Sequence, residues 1–224
     1  MNTPKIVLLA LLAACMVAGF AFLPRDLLTL STLQHAHAAS VDGYVRHPLL
    51  ASLLYFLVYV LITALSIPGA TLLTLLGAAV LPFWLAVLLV SFASTFGALL
   101  AMLVSRYLLA DWVSQRFARQ MATVNAGIAR EGAFYLFALR LMPLLPFFVV
   151  NLLAGITRIG IWRYWWVSQL GMLPATLIYL NAGRQLSQLH SLQDILSPGM
   201  LLALTLIGVL PLVSRRLFGR FLHR

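Results

Sequence analysis

Apolar residues run along this chain in long blocks, and the breaks between blocks outline its elements. Residues 6–23 (IVLLALLAACMVAGFAFL) are 18 apolar residues behind Lys5. A polar, weakly amphipathic connection covers 24–48. Apolar sequence then extends from Leu49 to Leu103, broken at IPGA (67–70) and LP (81–82). The most polar stretch is 105–131, where Leu108, Leu109, Trp112, Val113 and Phe117 recur at helical spacing. That pattern predicts an amphipathic helix lying on a membrane surface. A second apolar region runs from Ala133 to about Ala182, followed by a polar segment (183–197), an apolar run (199–213) and the basic sequence RRLFGRFLHR.

The breaks also set element lengths. Gly69 to Leu81 supplies 13 residues, about 20 Å as a helix, which is short of the roughly 30 Å hydrocarbon core. Phe147 to Thr157 is shorter still. Half-crossing pieces behind prolines predict two re-entrant hairpins, 49–82 and 133–158, with Pro68, Gly69, Pro143 and Pro146 at their tips. Four spans accompany them: 6–23, 83–104, 161–182 and 199–214. The other reading is that 49–67 crosses the membrane fully. Broken backbone at membrane depth needs shelter by protein or a wet cavity, so the two tips are expected to be buried together. A displacement of 78 residues superimposes Pro68 on Pro146, Gly77 on Gly155, Trp84 on Trp162 and Arg106 on Arg184. These are not residues that apolar bias supplies, so an internal duplication is expected.

Composition agrees with a membrane protein: 62% of the 224 residues are hydrophobic and 9% charged, against roughly 25% charged in soluble domains. The net charge is +10, which in such a chain points to cytoplasmic loops and anionic lipid rather than to nucleic acid. With four spans and two hairpins, eleven Lys/Arg fall on one side and three, Arg25, Arg46 and Arg184, on the other. The positive-inside rule puts 105–131 and both termini in the cytoplasm. The hairpins then come from opposite faces, as inverted repeats. If 49–67 crosses, the split is twelve to two. LAAC (12–15) resembles a lipoprotein cleavage box and AHA (36–38) a signal-peptidase site. The apolar run continues past Cys15 and AHA lies beyond its end, so an uncleaved span is expected. A single cysteine leaves no disulfide framework.

Hydrolytic chemistry finds no support. GxSxG, HExxH and GK[ST] are absent, and the five histidines lie in connections or the basic tail. No enzyme, cofactor or metal site is expected. What remains unusual is RLMPLLPFFVVNLLAG (140–155). An arginine within the membrane costs roughly 2.5–3.5 kcal/mol on insertion scales, so one retained there needs a partner or a task. In one reading Arg140 holds a lipid phosphate, aided by Asn151, since a guanidinium binds phosphate bidentately. In the other it snorkels or binds carbonyls freed by Pro143, and Asn151 satisfies backbone. Arg158 is an anchor or a headgroup contact. Gly77, Gly155, Gly171 and Pro174 are candidates for close helix packing.

Together IPGATLLTLLGAAV (67–80), ALLAMLVSRYL (98–108), LRLMPLLPFFVVNLLAGITRI (139–159) and WRYW…GMLPATLIYLNAG (162–183) resemble the DedA superfamily, in its SNARE-associated Golgi protein (VTT domain) branch. The resemblance covers about residues 45–190 and implies facing re-entrant hairpins and a role in lipid handling. Two departures matter. DedA members proper often carry an acid in a PGD triplet; here it is Pro68-Gly69-Ala70, with no acid between Asp42 and Asp111. They also tend to carry a second arginine, where this chain has Pro146. Proton coupling therefore does not carry over. The expectation is an all-α polytopic protein of the inner (plasma) membrane. Its parts are an N-terminal helix and connection (1–44), a VTT/DedA-like membrane domain (45–190), and a C-terminal helix with basic tail (191–224). Its expected activity is moving a phosphate-bearing lipid, a phospholipid or polyprenyl phosphate, between leaflets. A non-transporting scaffold and a small-solute or ion transporter are the alternatives.

Overall fold

Proline and glycine divide the apolar sequence where the chain turns. The computed structural model describes residues 41–67, 69–109, 133–141, 146–157 and 159–187, with isolated positions 122, 202, 205 and 209. The expected spans 6–23 and 199–214, the amphipathic stretch beyond Leu109, and Pro68, Pro143 and Arg158 lie outside them. Among the described residues the chain is helical throughout, with no strand.

Helix α1 (Pro48–Ala64) starts with proline in its first turn, where no amide partner is lost. It ends in a Schellman turn: Ser66 N–H donates to Thr63 O and Ile67 N–H to Ile62 O, with Ser66 at φ 56°. A serine in this left-handed position stops the helix just ahead of Pro68 and Gly69 in the sequence. Helix α2 (Ala70–Val80) has 11 residues, about 16 Å. Leu81 is extended after it, and Pro82 is the N-cap of α3 (Phe83–Val104). The last turn of α3 widens into a π-helical turn, Ser105–Leu109. The next described helices are α4 (Ala133–Leu141) and α5 (Phe147–Ile156), the latter 10 residues capped by Pro146. Thr157 is extended, and the 27-residue α6 (Ile161–Ser187) contains Pro174.

Among the described residues one helix, Phe83–Leu108, is long and apolar enough to cross a membrane, and α1, α2 and α5 are shorter apolar helices. Helix α6 matches it in length but carries Arg163, Ser168, Gln169 and Arg184.

Packing between the helices is reciprocal. Helix α1 lies on α3 and α4 on α6, while α2 crosses to α6 and α5 crosses to α3; α3 and α6 also pack on each other. Two apolar clusters fill the contacts. One joins Tyr59, Ala78, Val87, Val90 and Leu180. The other joins Met102, Leu136, Val150, Ile159 and Tyr164. In lipid, van der Waals fit rather than water exclusion holds helices together, and small residues supply the fit. A Cβ on Gly77 would strike the Tyr55 ring, and one on Gly155 would lie 2.5 Å from Met102 O. Gly155 thus lets two backbones approach, and Gly77 makes room for a tyrosine side chain. Outward faces are apolar: Leu50, Leu54, Leu57 and Leu61 on α1, and Leu88, Phe92, Phe96 and Leu100 on α3.

Candidate functional site

Arg140 stands in the last turn of α4, where the helix carbonyls present the negative end of the dipole. Opposite it on α6 is Gly171, whose missing side chain matters. A Cβ there would meet Arg140 Cβ at 2.7 Å, so glycine lets α4 settle on α6 with the arginine stem between them. The guanidinium then lies against the Phe147 and Tyr164 rings, 5.4 Å from each centroid. Cation–π contact of this kind is strongest away from water.

Its hydrogen bonds gather three helices. Nε donates to Ser168 Oγ at 3.2 Å, and Nη2 donates to Asn151 Oδ1 at 2.8 Å and to the Tyr164 hydroxyl. Tyr164, wholly buried, directs its own proton toward Asn151 Oδ1 (2.8 Å) and Ala98 O (3.2 Å). Sequence spacing therefore named a pair that does meet: Arg140 and Asn151, 11 residues apart, bond directly.

Asn151 is 0% exposed. Its oxygen must face the arginine, because the amide nitrogen there would set donor against donor. That leaves Nδ2 buried with no acceptor among the described residues. Arg140 Nη1 likewise meets none there. Asp42 is the one acid among the described residues, and it is paired with Arg46 at 3.0 Å. The site thus has a cation and surplus N–H donors, without a carboxylate from any described residue. Such a set is complementary to an anionic oxygen.

Arg106 was expected on the amphipathic surface stretch, and the structure gives it a different place. The π-helical turn aims it inward at the end of α5. Nε donates to Gly155 O at 3.1 Å, and Nη2 to Ile159 O at 2.8 Å, Thr157 O at 3.2 Å and Ala154 O at 3.5 Å. Ser105 Oγ adds a bond to Leu152 O at 2.8 Å. These contacts hold α5, and with it Asn151, against α3. Sequence reasoning also missed Tyr164 and Ser168, since neither stands out among the tryptophans and polar residues of α6.

Other expected residues take quieter places. Trp162, the match of Trp84, is exposed near the start of α6 and stacks on Trp165. Gly69 is the N-cap of α2, and Pro174 lies within α6. Among the described residues no cluster of His, Cys, Asp or Glu could hold a metal. A cavity of about 380 Å³ lies between the start of α1 and the end of α2, lined by Tyr44, His47, Leu50, Tyr55 and Leu81 among others. None of the Arg140 cluster lines it, and its wall is mainly apolar.

The described residues are helical, with one helix long and apolar enough to cross a membrane, shorter apolar helices and an arginine-centred polar cluster. The VTT domain model matches residues 67–185, more than half of the 224 residues. The chain belongs to the VTT domain family, the DedA/SNARE-associated Golgi protein family. Members are generally regarded as non-enzymatic membrane proteins. No curated protein and no solved structure matches the chain.

Proposed function

We propose that this protein moves a phosphate-bearing lipid, a phospholipid or a polyprenyl phosphate, between membrane leaflets without covalent chemistry, and that Arg140 and Asn151 grip the phosphate. One observation carries the reading. The N–H groups of Arg140 Nη1 and of Asn151 Nδ2 lack acceptors among the described residues, beside a cation with no described acid near it. A phosphate oxygen would satisfy both groups and neutralise the charge. Arg158, beyond the end of α5, would add a second cation for the headgroup.

The same proposal includes an inverted repeat. Helices α3 and α6 begin at Phe83 and Ile161, 161 − 83 = 78 residues apart, the displacement that superimposes Gly77 on Gly155. The crossed packing of α2 on α6 and α5 on α3 is what a two-fold relation between units produces. Transporters built this way bind substrate near the midplane, between repeats. We place the protein in the inner (plasma) membrane with both termini cytoplasmic, on the distribution of arginines. Cysteine labelling of Ser40 tests the topology: external reactivity fits a first hairpin, cytoplasmic reactivity a full crossing by 49–67.

A scaffold gains little from a half-buried arginine with surplus donors, and a cation transporter would want acids at the site. The deciding experiment reconstitutes purified protein in liposomes and follows labelled phospholipid and labelled polyprenyl phosphate in separate assays. Accelerated translocation of at least one supports the proposal, and translocation of neither rejects it.

A further inference from the structure

Beside the arginine cluster lies a second buried polar contact. Gln169 on α6 is 8% exposed and Ser91 on α3 is 4% exposed, and Gln169 Nε2 donates to Ser91 Oγ. These two positions are 78 residues apart, the same displacement that relates the two units. Repeat-equivalent positions can touch only where the axis relating the units passes, so this contact marks that axis. Ser94 and Thr95, both buried, flank it and donate to Ser91 O at 3.0 Å each.

Gln169 Oε1 is buried with no donor among the described residues. Turning the amide over does not help: Ser91 Oγ–H would then serve the oxygen, and the NH2 group would be left empty. Either way one end of a buried amide is open, which is costly in an apolar interior. Its neighbour in the chain, Ser168, accepts from Arg140 Nε. The Gln169 Cα therefore sits about 1.5 Å further along α6 and about 100° round it from that of Ser168, and its side chain reaches α3. Its surroundings are an amide and hydroxyls with no charge. Such groups suit hydroxyls, whereas an ammonium headgroup calls for carboxylates or aromatic faces.

We propose that Gln169 and Ser91 form a second subsite beside Arg140, which receives the hydroxyl-bearing part of a lipid headgroup, a glycerol or sugar. The proposal rests on Arg140 and Asn151 holding the phosphate. It makes the protein selective for hydroxyl-rich headgroups over a bare phosphate monoester. The test compares translocation of labelled phosphatidylglycerol and phosphatidic acid in liposomes by the wild type, Gln169→Leu and the milder Ser91→Ala, with thermal unfolding measured on the same samples. The phosphatidylglycerol-to-phosphatidic-acid rate ratio should fall about tenfold in Gln169→Leu and less in Ser91→Ala. An unchanged ratio in both variants overturns the subsite, as does equal loss of both lipids in step with lost folded protein, which would make the pair structural. A wild type that moves neither lipid also overturns the subsite, visibly before any variant is compared, and the phosphate reading beneath it then stands or falls on the separate polyprenyl phosphate assay.

Discussion

Replacing Arg106 by alanine removes the guanidinium that closes the end of α5. Three of its bonds, to Gly155 O, Thr157 O and Ile159 O, are 3.2 Å or shorter. Ala154 O keeps Thr157 N–H and Oγ1–H as donors, so its loss is slight. A hydrogen bond to a charged group contributes about 1.5–3 kcal/mol net, and a cation at a helix C-terminus up to about 2 kcal/mol. These terms overlap and are offset by desolvation of the arginine, so the expected loss is about 2–4 kcal/mol. For a chain of this size that lowers the melting temperature by roughly 5–15 °C. Thermal unfolding in detergent, followed by tryptophan fluorescence, reads the shift. Arg106→Lys should fall between wild type and alanine, because an ammonium keeps the charge and loses the fork. Arg184, 78 residues further along the chain, is exposed, so Arg184→Ala should move stability by no more than about 0.5 kcal/mol. Equal melting of the Arg106→Ala and Arg184→Ala proteins would refute the capping role.

Three further outcomes are expected. Gly155→Ala should destabilise by about 1–3 kcal/mol in the same unfolding assay, because the new Cβ meets backbone Met102 O and Ser105 Cβ at 2.5 and 2.6 Å. Ser66→Gly should raise stability by about 0.5–1 kcal/mol, by relieving a left-handed non-glycine at the end of α1; a lower melting temperature would contradict that account. Asn151→Asp should abolish lipid translocation while keeping or raising thermal stability, since a carboxylate 2.8 Å from Arg140 Nη2 would replace the phosphate as counter-ion.

Much of the fold was legible because proline and glycine punctuate it. The expected spans began at 83 and 161, and the helices begin at Phe83 and Ile161, each just after a chain break at Pro82 or Gly160. The half-length pieces behind Pro68 and Pro146 likewise appear as α2 and α5. Arg140 and Asn151 were legible as charged and amide residues in apolar surroundings on either side of two prolines. Their remaining partners were not. Ser168 and Tyr164 reach Arg140 only because Gly171 lets α4 lie close to α6, a tertiary fact with no local periodicity. Arg106 read as a surface charge because helical spacing was extrapolated through Ser105–Leu109, where a π-helical turn redirects the side chain. The Ser91–Gln169 contact escaped because matching by identity does not pair serine with glutamine.

The most direct test of the central claim is lipid translocation by Arg140→Ala in liposomes, expressed per folded molecule. Tyr164 retains Asn151 Oδ1 and Ala98 O as partners without the arginine, so the fold should persist with a loss of no more than about 2 kcal/mol. Translocation should fall to the protein-free rate, and Arg140→Lys should recover part of it. Wild-type translocation per folded Arg140→Ala molecule would contradict the account and remove Arg140 from the site.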